Sequence, residues 1–291
     1  MSRNLATGVG FIAILLWALL AYFTAESGAV PPFQLTAMSF AIGGLAGMAI
    51  WIVRPRGIAA LRQPWKVWAV GIVGLFGYHF LYFTALRNAP TVDASLICYL
   101  WPLLIVLLSA LGPEDRLGLH HVTGALMGFA GAALIVTRGQ GIALDPDYAF
   151  GYGIAFLAAF FWSSYSVLSR RFREVPTDVV TGFCLATAVL ATGAHLALEE
   201  TVWPQGLGQW LAVAGLGIGP VGLAFYVWDI GVKHGDIQVL GAASYSAPLL
   251  STLLLIALGV SPFTWVIGVA CLLITLGAGV AAKDMILRRR P

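Results

Sequence analysis

Residues 76–108 read FGYHFLYFTALRNAPTVDASLICYLWPLLIVLL, two apolar helices joined by the turn Arg87-Asn88-Ala89-Pro90. Proline lacks a backbone donor and disfavours helix in the residue before it, so the first helix should stop near Asn88. The second carries Pro102 near its midpoint. In water that proline would break the helix; inside a membrane it is tolerated where neighbours or water satisfy the freed carbonyl. Tyr78, His79, Tyr82, Tyr99 and Trp101 fall in the same stretch. A helix facing only lipid would carry Leu, Ile and Val instead.

The stretch has an echo. Residues 222–254 read GLAFYVWDIGVKHGDIQVLGAASYSAPLLSTLL. A gapless shift of about 146 positions lays Pro102 on Pro248, Tyr99 on Tyr245, Arg87 on Lys233 and Tyr82 on Trp228. Interrupted apolar helices in corresponding positions of two halves point to a transporter's binding site.

The surrounding chain is of one kind. It has 291 residues, 59% hydrophobic and 10% charged, against roughly 25% charged in a soluble domain. Ten apolar stretches, at 5–25, 33–53, 67–87, 91–111, 119–137, 150–170, 178–198, 210–232, 237–258 and 262–283, each approach the ~20 residues that span a bilayer. The first is too long for a signal-peptide core and reads as an uncleaved helix. The expected fold is an all-α integral membrane protein of ten transmembrane helices. Five spans per half start the second half from the opposite side, so residues 1–140 and 141–291 read as inverted repeats of one membrane domain. With the N-terminus inside, fourteen of the sixteen basic residues fall on inner segments, and only Arg87 and Arg138 fall outside. Both termini are therefore expected in the cytoplasm, and loop 138–149 outside. Topology accounts for the loop arginines, so nucleic acid is not an expected partner.

Within the helices, Gly43 and Gly47 allow close helix approach, and Gly124, Gly128 and Gly131 form a packing face. Gly71, Gly74, Tyr78 and Tyr82 share a face of the third helix, where glycine admits another backbone. Trp162 answers Trp17 in the sixth and first helices. Trp51, Trp65, Trp68, Trp203, Trp210 and Trp265 fall near helix ends and read as interfacial belt residues. Asp93 suits a helix N-terminus, with ion coupling as its other reading. Asp229 precedes Lys233 by four residues, the favourable order for a helical pair, and stands between anchor and functional carboxylate. His195, beside Glu199 and Glu200, reads as an interfacial side chain rather than a proton relay. Cys98, Cys184 and Cys271 have no metal-ligand spacing and read as small hydrophobes. No metal or cofactor is expected.

Ten spans, two five-helix repeats, tryptophans early in the first and sixth helices, and paired helix–turn–helix units with prolines resemble the drug/metabolite transporter superfamily, in its EamA-type branch. The likeness covers essentially the whole chain. Tyr99-Leu100-Trp101-Pro102 further resembles a signature of the aromatic amino acid exporters of that branch. The resemblance implies a secondary transporter in a bacterial inner membrane, exporting aromatic and other neutral amino acids by alternating access; a monomer is expected. The alternative is a superfamily exporter of other small metabolites or drugs. A phosphate-bearing substrate would call for central Lys or Arg, and a cationic drug for a carboxylate deep in the first helix. Trp17 stands there instead, with Glu26 at the outer end. Neither H-E-x-x-H nor G-x-S-x-G occurs, so the chain does not read as an enzyme. A channel would need a ring of carbonyls or charges. The expected substrate-binding residues are Trp17, Tyr78, His79, Tyr82, Tyr99, Trp101, Trp162, Tyr165, Ser244 and Tyr245. Pro102 and Pro248 are the expected hinges. Helices three, four, six and nine should build the cavity, one and eight close it, and five and ten stay peripheral.

Overall fold

The structure, a computed structural model, describes residues 1–53, 57–112, 117–141, 144–259 and 262–287. Every regular element among them is helical. Among the described residues nine helices are long and apolar enough to cross a membrane: α1 (Arg3–Glu26), α2 (Pro32–Ile52), α3 (Trp65–Asn88), α4 (Thr91–Ser109), α5 (Leu119–Thr137), α6 (Pro146–Phe172), α7 (Val179–Leu198), α8 (Gly206–His234) and α9 (Ile237–Ala257). A further apolar helix, α10 (Trp265–Ala281), has 17 residues. Of the basic residues that set the expected orientation, Arg54, Arg56, Arg116, Arg288, Arg289 and Arg290 lie outside the described residues.

Helices pack in cross-half pairs: α1 on α8, α2 on α7, α3 on α6, α4 on α9 and α5 on α10. Exchanging the first five helices for the last five maps this set of pairs onto itself. Small residues make the pairs close. Gly10 meets the Gly231 backbone, Gly43 that of Gly222, and Gly124 that of Gly277. The expected packing faces of Gly43 and Gly124 are thus present. Gly71 and Gly74 differ from expectation, because they admit the rings of Phe183 and Tyr165 rather than another backbone.

Among the described residues three helices are interrupted and two carry π turns; α1 turns at Leu19 between Arg3–Ala18 and Leu20–Glu26. α4 is helical over Thr91–Cys98 and again over Trp101–Ser109; α9 over Ile237–Ala243 and Ser246–Ala257. Pro102 and Pro248 therefore do not sit mid-helix. They lie in the first turn of a new helix, where a missing N–H costs no intrahelical bond and the ring's fixed φ suits the geometry. The Leu103 N–H, an orphan donor of that first turn, donates to Tyr245 Oη across the α4–α9 contact at 3.1 Å. The π turns occupy Val73–Gly77 in α3 and Gly219–Leu223 in α8, offset by the same 146 residues as Tyr99 and Tyr245.

Polar contacts separate two ends. Arg3 pairs with Asp236 in the α8–α9 connection at 3.0 Å, and His120, at the start of α5, lies 3.8 Å from Asp284. The chain's beginning and Asp284 thus share one end, called here the terminal end. Arg170 donates there to Val232 O and Gly235 O, closing the last turn of α8. The buried Asp229–Lys233 pair, 2.8 Å apart, is tied to the α6–α7 connection: Thr177 Oγ1 donates to Asp229 and Lys233 to Val175 O. At the opposite end, the Glu199 carboxylate accepts from the N–H groups of Phe33 and Gln34 at the start of α2. It also pairs with Arg87 at 2.6 Å and with His195 at 3.0 Å. His195 is buried in this hub, bonded also to Thr201, and is not an interfacial side chain.

Candidate functional site

Between the two ends lies a box of indole rings. Trp17 of α1, Trp101 of α4, Trp162 of α6 and Trp228 of α8 all lie within 6.2 Å of one another, centroid to centroid. Each comes from a different helix, and local irregularity places two of them. Trp101 opens the second segment of α4, and Trp17 comes just before the kink of α1 at Leu19. Phe225 lies 5.7 Å from Trp162 and stacks on Phe40 of α2 at 5.4 Å. Tyr78 rests on Trp162 at 5.6 Å and stacks with Tyr82 at 6.0 Å. Tyr165 lies 5.3 Å from Trp162, and its buried hydroxyl has no hydrogen-bond partner among the described residues.

The donors of the box divide into two sets. Trp17 Nε1 donates to Pro220 O, inside the π turn of α8, at 3.1 Å, and Trp228 Nε1 to Ser166 Oγ at 3.1 Å. The indole N–H groups of Trp101 and Trp162 have no protein partner among the described residues. His79 Nδ1 lies 2.7 Å from Leu75 O, inside the π turn of α3. The residues whose rings meet here include no acid, lysine or arginine, and Asp229 and Lys233, which line a small cavity with Tyr165, are paired with each other. Such a site offers flat apolar faces, two unclaimed N–H donors and phenol oxygens, with no unpaired charge.

Most of the expected site residues meet here: Trp17, Tyr78, His79, Tyr82, Trp101, Trp162 and Tyr165. Tyr99 sits at the break of α4 just before Trp101. Ser244 and Tyr245 stand apart. Ser244 returns its hydroxyl to Leu240 O, while Tyr245 packs on Phe129 in a separate apolar cluster with α5 and α10. α1 and α8 form walls of the box rather than its closure, and α9 contributes no ring to it. Trp228, Phe225 and Phe40 were not among the expected residues. The signal for Trp228 was its register with Tyr82; for the two phenylalanines the sequence holds none.

Other readings sort by exposure. Trp65, Trp203, Trp210 and Trp265 are exposed, as belt residues would be, whereas Trp68 packs inward on Phe183. Asp93 caps nothing with its side chain and accepts from Tyr152 Oη of α6 at 3.2 Å. Cys98, Cys184 and Cys271 are free thiols.

The two ends of the box differ. Every residue from Ile237 through Tyr245 in the first half of α9 is buried, packed on the second half of α4. The matching residues of α4 are looser: Thr91 and Val92 are exposed, and Asp93, Ser95, Ile97 and Tyr99 half-buried.

Comparison with known proteins agrees with this architecture. The model of the EamA-like transporter family matches twice, over residues 5–137 and 149–282. A protein of Ancylobacter novellus named aromatic amino acid exporter YddG is 56% identical over 97% of this chain and 98% of its own. A Salmonella typhimurium protein of the same name is 26% identical, over 91% and 92%. A solved crystal structure, 54% identical over the whole of both chains, superposes with a TM-score of 0.93.

Proposed function

The chain belongs to the EamA-like transporter family, and on that premise we propose that it exports aromatic and other neutral amino acids by alternating access. The observation that carries this reading is the four-tryptophan box with its two unclaimed indole donors and no unpaired charge. A ring-bearing zwitterion brings an apolar face to stack, a carboxylate for N–H donors and no net charge to compensate. The names of the two relatives support the same substrate class. Trp17, Tyr78, His79, Tyr82, Tyr99, Trp101, Trp162 and Tyr165 are the residues assigned to it, with Trp228 and Phe225 added.

The proposed frame is ten spans in two inverted repeats, dividing near residue 140, in a bacterial inner membrane with both termini in the cytoplasm. Two separate matches to one family model, the self-mapping pairs of helices and the shared 146-residue offset of breaks and π turns support it. In that frame the buried first half of α9 closes the cytoplasmic side, and the looser first half of α4 faces the outside. The structure is then read as an outward-facing state.

Purified protein in liposomes tests the reading. Flux of phenylalanine and tryptophan is expected to saturate, to be competed by other neutral amino acids and to ignore phosphorylated sugars. Linear, non-saturating flux would make it a channel. Saturable flux of another metabolite with none of amino acids would leave the alternative exporter.

A further inference from the structure

His79 is the one side chain of the site whose hydrogen-bonding polarity the backbone dictates. A carbonyl oxygen only accepts, so the 2.7 Å contact with Leu75 O requires the ring proton on Nδ1. The neutral ring then has a lone pair and no proton on Nε2. Nε2 has no hydrogen-bond partner among the described residues. The ring is held edge-on between Phe40 and Tyr78, each 5.1 Å away and nearly perpendicular, with Phe83 and Phe225 at 6.4 Å. These rings come from α2, α3 and α8, and His79 stands half-buried among them. Phe225 also touches Trp17 and Trp162, which puts His79 one ring away from the indole box.

Set against its surroundings, Nε2 is unusual. The nitrogens of the box are donors, two of them already used, and the phenols can turn either way. In the neutral ring, with the proton held on Nδ1 by Leu75, His79 offers a fixed acceptor. A zwitterionic substrate needs one group of that polarity, for its ammonium.

We propose that His79 is the specificity-determining residue that accepts a hydrogen bond from the substrate's ammonium group through Nε2, held in that tautomer by the π turn of α3. The unclaimed indole N–H groups of Trp101 and Trp162 then face the carboxylate. The π turn has a chemical purpose in this arrangement, since it positions the Leu75 carbonyl that fixes which end of the substrate His79 reads. This assignment rests on the amino acid export reading.

The test compares wild type, His79→Leu and His79→Gln in liposomes, with labelled phenylalanine as the probe. Phenethylamine, which keeps the ammonium, and 3-phenylpropanoate, which lacks it, are the competitors. Glutamine can donate its amide N–H to Leu75 O and present its oxygen to the site, so it reproduces the polarity of histidine; leucine cannot. In wild type, phenethylamine should compete better than 3-phenylpropanoate. His79→Leu should raise KM for phenylalanine about tenfold or more, as expected for a lost bond to a charged group, with a smaller change in kcat, and should erase the preference between competitors. His79→Gln should restore most of both. An unchanged preference in His79→Leu, or a His79→Gln variant as impaired as His79→Leu, would overturn the assignment while leaving the export reading intact. A wild-type protein with no saturable phenylalanine flux would overturn the export reading itself, and the His79 assignment with it.

Discussion

Two ion pairs at opposite ends of the molecule should respond differently to mutation. Asp229 and Lys233 are both almost fully buried, with side chains 2% and 3% exposed. Removing one partner strands the other, a loss of about 3–5 kcal/mol for a buried pair. Arg87 is 41% exposed, and Glu199 keeps two backbone N–H donors and His195 without it. An exposed partner of this kind contributes about 1 kcal/mol or less. Thermal unfolding in detergent should therefore show Lys233→Ala far more destabilised than Arg87→Ala, and equal losses would contradict the difference in burial. At the site, Trp101→Ala removes one wall of the box. It should raise KM for aromatic amino acids at least several-fold with normal protein in the membrane; unaltered KM would remove Trp101 from the binding face. Tyr245→Phe makes the complementary case. It deprives the Leu103 N–H of its acceptor and should cost about 1–2 kcal/mol of stability, while leaving KM unchanged because its ring lies with α5 and α10. These distinctions were hidden in the sequence, where Tyr99 and Tyr245 occupy matching positions and invite matching roles. Only the packing shows that Tyr245 braces α4 against α5 and α10 through Leu103 and Phe129, while Tyr99 stands at the break of α4.

At the scale of elements, the long apolar runs were readable because a bilayer demands them, and their positions agree with the nine long helices to within a few residues. What the runs concealed was their interruption. A π turn slips the hydrogen-bond register by one residue without altering hydrophobicity, so only the glycines and the proline of GIVGLFG and GIGPVGL hint at it. The break of α4 is likewise silent, since Tyr99 and Leu100 are ordinary membrane residues and Pro102 drew attention to the wrong point. Pro102 and Pro248 lie in the first turn of their helices, and lacking an N–H they cannot close the i−4 bond to the Cys98 and Ser244 carbonyls that would fuse each pair of segments. We propose that they keep each break open so that its two halves can reorient. Pro102→Ala and Pro248→Ala lie where alanine is tolerated and should change stability by about 1 kcal/mol or less. By letting the two segments fuse they should lower kcat while leaving KM near its wild-type value. Normal turnover in both variants and in the double variant would reduce the breaks to static features of the site.

For the whole molecule, the central claim is that an aromatic amino acid binds in the tryptophan box, reached from the side opposite the termini. The molecule's two halves pack the same pairs of helices yet differ in closure, and in the proposed orientation this difference makes the outer side the accessible one. Orientation itself is checked by a cysteine at Gln140, which an impermeant thiol reagent should label in intact cells. The most direct measurement joins access and ligand in one position. Ser95 lies one turn before Tyr99 in the looser half of α4 and is half-buried. In a background with Cys98, Cys184 and Cys271 replaced, Ser95→Cys should react with an impermeant thiol reagent added outside intact cells. Tryptophan or phenylalanine should slow that reaction, and glutamate or lysine should not. Reaction only after permeabilisation, or a rate that aromatic amino acids leave unchanged, would contradict the account.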